Sequence, residues 1–336
     1  MSDRPGVLPC QSIERLIAEG AIGAEGGISP DQVQPASLDL RLGTRAWRVR
    51  ASFLPRPGDT IARRIGYVAM HELDLSRGAV LERGCVYICE IAESLALPPG
   101  VRGRANPKSS TGRVDVFVRL LADGQGAFDD VAEGYRGPVY LEVAPQTFSV
   151  LVRSGTRLNQ IRFRLGAAQT VSVLDVGVDL SGGVAGYRAR RHAGVVDLDL
   201  EAGHDPRDFW EPLEARRGEL LLDPGEFYIL ASRGRIEIPS DQAAEMIPID
   251  PAVGEFRVHY AGFFDPGFGL TESGGEGSRG VLEVRSHETP FLLEDGQTVA
   301  RLVFAALTEP PTRVYGVGGA HYQRQGLRLS KHFREW

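Results

Sequence analysis

The run Arg104-Ala105-Asn106-Pro107-Lys108-Ser109-Ser110-Thr111-Gly112-Arg113 gathers cations, hydroxyls and a glycine that opens the backbone. Charge-assisted donors, hydroxyl donors and accessible N–H groups converging on oxygen are what a phosphate chain needs. A solvated loop with helix-capping serines has the same composition, so the run by itself leaves both readings open. Its counterpart later in the chain, Pro248-Ile249-Asp250-Pro251-Ala252-Val253-Gly254, carries neither a Lys or Arg nor a hydroxyl. A shared structural role would have kept similar chemistry in both places, so the contrast favours phosphate binding at Arg104, Lys108, Ser109, Ser110 and Arg113.

Two carboxylates, Glu142 and Glu283, each sit in a Leu-Glu-Val strand. Such a group either faces solvent or lies in a pocket, where desolvation raises its pKa and suits it to general acid/base work. A third feature is Tyr260-Ala261-Gly262-Phe263-Phe264-Asp265-Pro266-Gly267-Phe268-Gly269. Asp-Pro-Gly is an ordinary hairpin turn, but aromatic residues ahead of an Asp also make a receptacle for a nucleoside. The nearest stretch of the first half is Arg119-Leu120-Leu121-Ala122-Asp123-Gly124, which has no equivalent of Pro266. The segment from His321 through Tyr322, Gln325 and Lys331 is polar and basic, and reads either as a frayed terminus or as a flap over an anionic ligand. The chain has no His-x-Glu with a downstream Pro-Cys-x-x-Cys, which removes the zinc route to base deamination. It also lacks a P-loop, a strand-linked Gly-x-Gly-x-x-Gly and a Gly-x-Ser-x-Gly elbow.

The elements that must position these residues occur twice. Gly84/Gly225, Tyr87/Tyr228, Ile88/Ile229, Pro98/Pro239, Leu141/Leu282, Glu142/Glu283, Gly155/Gly296 and Phe163/Phe304 all recur at one unvarying separation. A period this long belongs to whole domains rather than to a solenoid. Upstream the register breaks, and Leu38-Asp39-Leu40 is best matched by Leu198-Asp199-Leu200 or Val196-Asp197-Leu198. The expected architecture is mostly β: a tandem duplication of a distorted barrel or jelly roll, with residues 1–175 as the first repeat and 176–336 as the second. Hydrophobic residues make up 42% of the 336, enough for two cores, and 41 glycines with 21 prolines point to short strands joined by tight turns. Ile13, Leu16 and Ile17 predict one short helix, capped by Ser12 and ended by Gly20. Strands are expected at 139–143, 148–152, 158–164, 227–230, 281–284 and 299–304. Cys85 and Cys89 are expected to share a strand face as buried structural thiols.

A net charge of −6 with interspersed signs gives no general case for nucleic acid or an anionic membrane as partner. No apolar run reaches the roughly 18 residues of a membrane span, and Met1-Ser2-Asp3-Arg4-Pro5 lacks the plan of a secretory signal. The chain reads as cytoplasmic.

Taken together, these pieces resemble the dCTP deaminase branch of the dUTPase-like superfamily, in particular its two-domain bacterial members. Residues 13–17 and 34–43 look like that family's N-terminus, and Lys108-Ser109-Ser110-Thr111-Gly112-Arg113 is similar to its Arg-Ser-Ser-x-x-Arg motif. Ala261 to Gly269 resembles its Ala-x-x-x-Asp-Pro-Gly hairpin, Leu282-Glu283-Val284 its catalytic strand, and Tyr322-Gln323-Arg324-Gln325-Gly326 its closing segment. The resemblance implies hydrolysis of dCTP to dUTP and ammonia without a metal at the base, with Mg2+ on the triphosphate and no zinc. It implies Glu283 as the base and Ser109 and Arg113 as the groups that place the water. A backbone carbonyl near Ala261 would hold the amine and Asp265 the 3′-hydroxyl, while Arg104, Lys108 and Ser110 hold phosphates under Tyr322 and Gln325. Glu142 is the alternative base if the copies pair the other way.

In this reading copy one supplies the phosphate side and copy two the pyrimidine side, and the protein is a homo-oligomer with sites between domains or subunits. Lys108 in place of the motif's first Arg keeps charge but loses the bidentate fork. Leu270 to Arg279 intrudes between hairpin and Glu283 strand. The competing readings are a dUTP pyrophosphatase, a bifunctional deaminase and dUTPase, and a nucleotide-sensing module without turnover.

Overall fold

The computed structural model describes residues 4–167, 169–249, 256–259, 262–273, 276–286, 288–316 and 322–336. The chain is mostly β, built as several small sheets. In the first half one sheet runs in the order Ala69–Asp74, Leu42–Val49, Val86–Ala96, Arg136–Pro145, Val116–Ala122. A second sheet runs Gly6–Val7, Asn159–Leu165, Val101–Pro107, Asp130–Val131. The second half repeats both orders, with Trp210–Leu213, Gly186–Ala189, Phe227–Ile236, Ser278–Ser286, Phe256–His259 and with Thr170–Gly177, Thr298–Ala306, Gln242–Pro248, Phe263–Phe264. All the expected strands form.

The register repeats as well as the order. Glu142 stands opposite Ile88 as Glu283 stands opposite Ile229, and Leu81 pairs with Val150 as Leu222 pairs with Phe291. Because side chains alternate across a strand, a shared register puts the two glutamates on equivalent faces. Leu38 pairs with Ile161 and Leu174 with Leu302, so the counterpart of Leu38-Asp39-Leu40 is Leu174-Asp175-Val176 and not a segment near 198. Pairing fixes this where sequence spacing failed, since the loops between these strands differ in length. The strand Thr170–Gly177 lies wholly on the second half's sheet, so a division at 175/176 falls inside it.

The short helix is Cys10–Ala18, and Gly20 follows it in the left-handed region at φ 74°. Ser12 is no cap: it lies inside the first turn, where its hydroxyl donates to Glu309 at 2.7 Å. A second helix, Ile61–Val68, was not expected; Ile61 and Ile65 form its buried face, and the Thr60 hydroxyl caps it by accepting from Arg63 N–H at 3.2 Å. Cys89 is buried in its strand, and burial pushes its thiol up to about 12, whereas Cys85 sits in the turn before that strand and is only partly covered. All three cysteines are free thiols.

The halves share their packing. The first-half core takes in Trp210, Phe227, Ile229, Val281, Leu329 and Phe333 from the second, and Phe148 meets Phe209 and Trp210 edge-on at 5.5 Å. Strand 196–197 adds in parallel to strand 150–152. A second core of Val176, Leu230, Met246, Leu282 and Leu302 belongs to the second half alone. This interlocking holds a cleft between the halves. No helix among the described residues is long and apolar enough to cross a membrane.

Candidate active site

Pro107 ends its strand, and Lys108, in extended conformation, caps a single turn over Ser109–Gly112. The carbonyl of Lys108 accepts from the Thr111 and Gly112 amides, and its own amide donates to the Leu158 carbonyl at 3.0 Å, fastening the turn to the neighbouring strand. This turn borders a cavity of about 550 Å³ between the halves, lined by Lys108, Ser109, Ser110 and Arg113 from the first and by Phe263, Asp265 and Glu283 from the second. Tyr322 and Gln325 line it too. First-half cations and hydroxyls thus face a second-half carboxylate within one chain.

Glu283 is 5% exposed in strand Ser278–Ser286, and burial pushes its carboxyl up to about 8, with Arg113 pulling the other way. Arg113 Nε stands 3.9 Å from Glu283 Oε1. The rest of the Arg113 guanidinium is held on three sides. Its Nη2 donates to Gln325 Oε1 at 3.0 Å, its Nη1 to the Arg328 carbonyl at 3.3 Å, and its centre lies 3.9 Å from the Tyr322 ring centroid. The tail is therefore docked rather than frayed: the Ser330 hydroxyl donates to the Ser110 carbonyl at 2.8 Å, and Leu329 and Phe333 are buried.

The hairpin forms at Phe263–Phe264 and turns at Asp265-Pro266-Gly267-Phe268, where the Phe268 amide donates to the Asp265 carbonyl at 3.1 Å. Gly267 and Gly269 sit at φ 90° and 75°, and a Cβ on Gly269 would lie 2.0 Å from the Ile236 carbonyl oxygen, so only glycine fits. Ala261 lies outside the described residues. In the first half the corresponding turn is Ala132–Tyr135, because the Leu97 amide donates to the Tyr135 carbonyl just as the Ile238 amide donates to the Phe268 carbonyl. The Arg119–Gly124 stretch is thus not the counterpart, and Ala132 stands where the second copy has Asp265.

Two expected residues are not brought into this cavity. Arg104 lies outside it, with Nε 3.9 Å from Glu245 Oε1. On strand Val101–Pro107 it stands between Asp130 and Arg162 in register. Glu142 is buried among other groups: the Ser52 hydroxyl donates to it, and burial raises its pKa. Segment 50–68 closes that side, with Phe53, Ile61 and Ile65 packed against Ile88, Leu121 and Tyr140.

Several residues of the site were not foreseen. Arg162, 1% exposed, donates to Asp265 Oδ1 at 3.2 Å and to the Ala244 and Phe264 carbonyls at 3.0 and 3.3 Å. Its guanidinium also lies 4.0 Å from the Phe263 ring centroid, so a first-half arginine clamps the second-half hairpin. Burial pushes the Asp265 carboxyl up, and Arg162 opposes it. Asp39 takes a salt bridge from Lys108, and Arg157 bonds Asp31 at 2.8 Å. The alternation of Gln160, Arg162 and Arg164 was the available signal for Arg162, but it reads as a solvent face until the second half covers it. Among the described residues no group of three or more His, Cys, Asp or Glu is placed to hold a metal.

Residues 4–167 match the family model "2'-deoxycytidine 5'-triphosphate deaminase (DCD) N-terminal domain", and residues 156–333 match the model of the corresponding C-terminal domain. A crystal structure of 2'-deoxycytidine 5'-triphosphate deaminase from Agrobacterium tumefaciens is similar at 52% identity and TM-score 0.87, covering 90% of this chain and 99% of that one. A dCTP deaminase of Halorubrum lacusprofundi is 31% identical over 154 residues, 45% of this chain and 72% of its own length. A "dCTP deaminase, dUMP-forming" of Halobacterium salinarum is 33% identical over 112 residues, 32% of this chain and 53% of its own. The two models together account for the chain from residue 4 to residue 333, and the chain belongs to the dCTP deaminase family.

Proposed function

We propose that this protein hydrolyses dCTP to dUTP and ammonia at the cavity between its halves, each half being a copy of a dUTPase-like barrel. The observation that carries the reading is the buried pair Arg113–Glu283, a copy-one cation against a copy-two carboxylate whose pKa burial brings to about 8. A carboxyl poised near the working pH both accepts and returns a proton. Glu283 takes a proton from water as its oxygen adds to C4 of the cytosine, and delivers it to the amino nitrogen as ammonia leaves. Ser109 and Arg113 place the water. Asp265, oriented by Arg162, takes the 3′-hydroxyl, and Lys108 and Ser110 hold phosphates beneath Tyr322 and Gln325.

Mg2+ enters on the triphosphate, where it would offset phosphate charge. Asp39 suits its outer shell, because its Oδ1 is buried at the cavity without a hydrogen-bond partner. Arg104 and Glu142 take no part. The cavity is formed by a single chain, so in a homo-oligomer each copy would bring its own site.

The second reading, a deaminase that continues to dUMP, is favoured by the relatives that carry that name. Incubation with dCTP and Mg2+ followed by ion-exchange separation tests both: dUTP with one equivalent of ammonia supports the deaminase, and dUMP with pyrophosphate the bifunctional enzyme. Unchanged dCTP, with tight binding, would point to a nucleotide-sensing module.

A further inference from the structure

We propose that Asp115 and Arg285 form a positioning pair that sets the reach of Arg113 to Glu283. The two pairs run side by side with opposite polarity. Arg113 and Asp115 are two residues apart in the first half, Glu283 and Arg285 two residues apart on strand Ser278–Ser286, and Asp115 and Arg285 are joined by a salt bridge. Successive odd positions on a strand share a face, so the second contact fixes the strand's register against the turn that carries Arg113.

The pair is built, not incidental. Asp115 is 1% exposed, and its carboxylate also accepts from the Thr147 hydroxyl at 2.5 Å, while Arg285 donates to Thr147 Oγ1 at 3.0 Å and to the Gly225 carbonyl. Asp115 adopts φ 56°, a left-handed conformation that an L side chain takes at some cost and that glycine takes freely. Asp is among the few non-glycine residues that enter this region readily, and here the conformation sets the carboxylate on its second-half partner while the backbone anchors a neighbouring turn. What it anchors is the exit of the Ser109–Gly112 turn, since the Asp115 amide donates to the Gly112 carbonyl at 2.9 Å and its carbonyl accepts from Gln146 N–H at 2.9 Å.

The inference rests on the proposed deamination, so its test has an arm that needs no turnover. In Asp115→Gly the backbone conformation is kept and only the anchor is lost. Arg113 then recedes, its pull on the Glu283 carboxyl weakens, and the Glu283 titration followed by 13C NMR moves to higher pH. The groups that share the cavity with Glu283 are the cations Arg113, Lys108, Arg157 and Lys331, the carboxylates Asp31, Asp39, Asp199, Glu201 and Asp265, and Tyr315, Tyr322 and His332, and His259 is its cross-strand neighbour by register. None of these is changed in the variant. In the dCTP assay kcat falls at least about tenfold with KM within about twofold, as expected when groups are misplaced by a fraction of an ångström. With Asp115 intact, Arg285→Lys keeps part of the rate and Arg285→Met loses it as Asp115→Gly does. An unmoved Glu283 titration, or wild-type kcat in Asp115→Gly, would overturn the pair's role; a wild-type protein that leaves dCTP unchanged while the titration still moves would overturn the deaminase reading alone.

Discussion

Arg113 Nε lies 3.9 Å from Glu283 Oε1, beyond hydrogen-bond length, and that buried nitrogen has no hydrogen-bond partner. A buried donor left unsatisfied costs free energy, so the site gains when a ligand or a small rotation supplies an acceptor. Catalytic contacts that are long in the free protein and shorten in the complex are common. The relationship also fits the contrast between the halves: both keep the strand glutamate, but the second half has Gly254 in place of the cation, so Glu283 meets Arg113 of the first half.

Glu283 links activity to stability through pH. Its folded pKa, about 8, exceeds the ordinary 4.5, so the folded state binds the proton more tightly than the unfolded chain. That stabilisation is complete below about 4.5 and is lost as pH rises toward 8. Glu283→Gln lacks this dependence. Thermal denaturation at intervals from pH 5 to 9 is expected to show the variant gaining on the wild type up to about pH 8, then keeping a constant lead; parallel curves would contradict the burial argument.

If the ionised form of Glu283 takes the water proton, log kcat/KM climbs with pH and levels off near 8. Arg113 holds that pKa down, so Arg113→Gln moves the rising limb to higher pH besides lowering the rate by about 10²-fold. A limb that stays in place would mean that the titrating group is not Glu283.

Glu142→Gln is expected to leave kcat and KM for dCTP within about twofold, because Glu142 lies behind Ser52 and away from Arg113. A loss of activity comparable to that of a Glu283 variant would show that the first copy's glutamate is the base. The assay separates the two copies cleanly, since the residues share the same Leu-Glu-Val setting.

The docked tail is a stability element. Phe333 is 5% exposed between Phe209, His204 and Trp210, so Phe333→Ala costs about 3 kcal/mol in urea denaturation. A change below about 1 kcal/mol would show that the tail is not held as described.

Much of this was legible in the sequence wherever local chemistry decides. Strands such as Arg136–Pro145 and Thr298–Ala306 follow from apolar alternation, and the constant separation of Glu142 and Glu283 reported a true repeat of register. The loss of cations around Pro248 and the retention of Lys108 to Arg113 located the cavity's first side. What escaped depends on contacts between distant segments. Arg162 looks like a surface residue until the second half covers it, and Asp115 and Arg285 lie far apart in sequence. Leu174-Asp175-Val176 was missed because loops of unequal length shift the spacing upstream of Gly84, and Ala132 because the first half's hairpin turn carries no Asp-Pro-Gly. The helix at Ile61–Val68 has a helical apolar spacing in Ile61, Ile65 and Val68, but at two turns that signal is weak beside the strand signals around it.

The most direct test of the central claim is to incubate wild type and Glu283→Gln with dCTP and Mg2+, separate the nucleotides and titrate the ammonia. The account predicts a uracil nucleotide and ammonia in equal amounts from the wild type, and no turnover from a variant that still binds dCTP. Unchanged dCTP with the wild type, or full activity in Glu283→Gln, would contradict it.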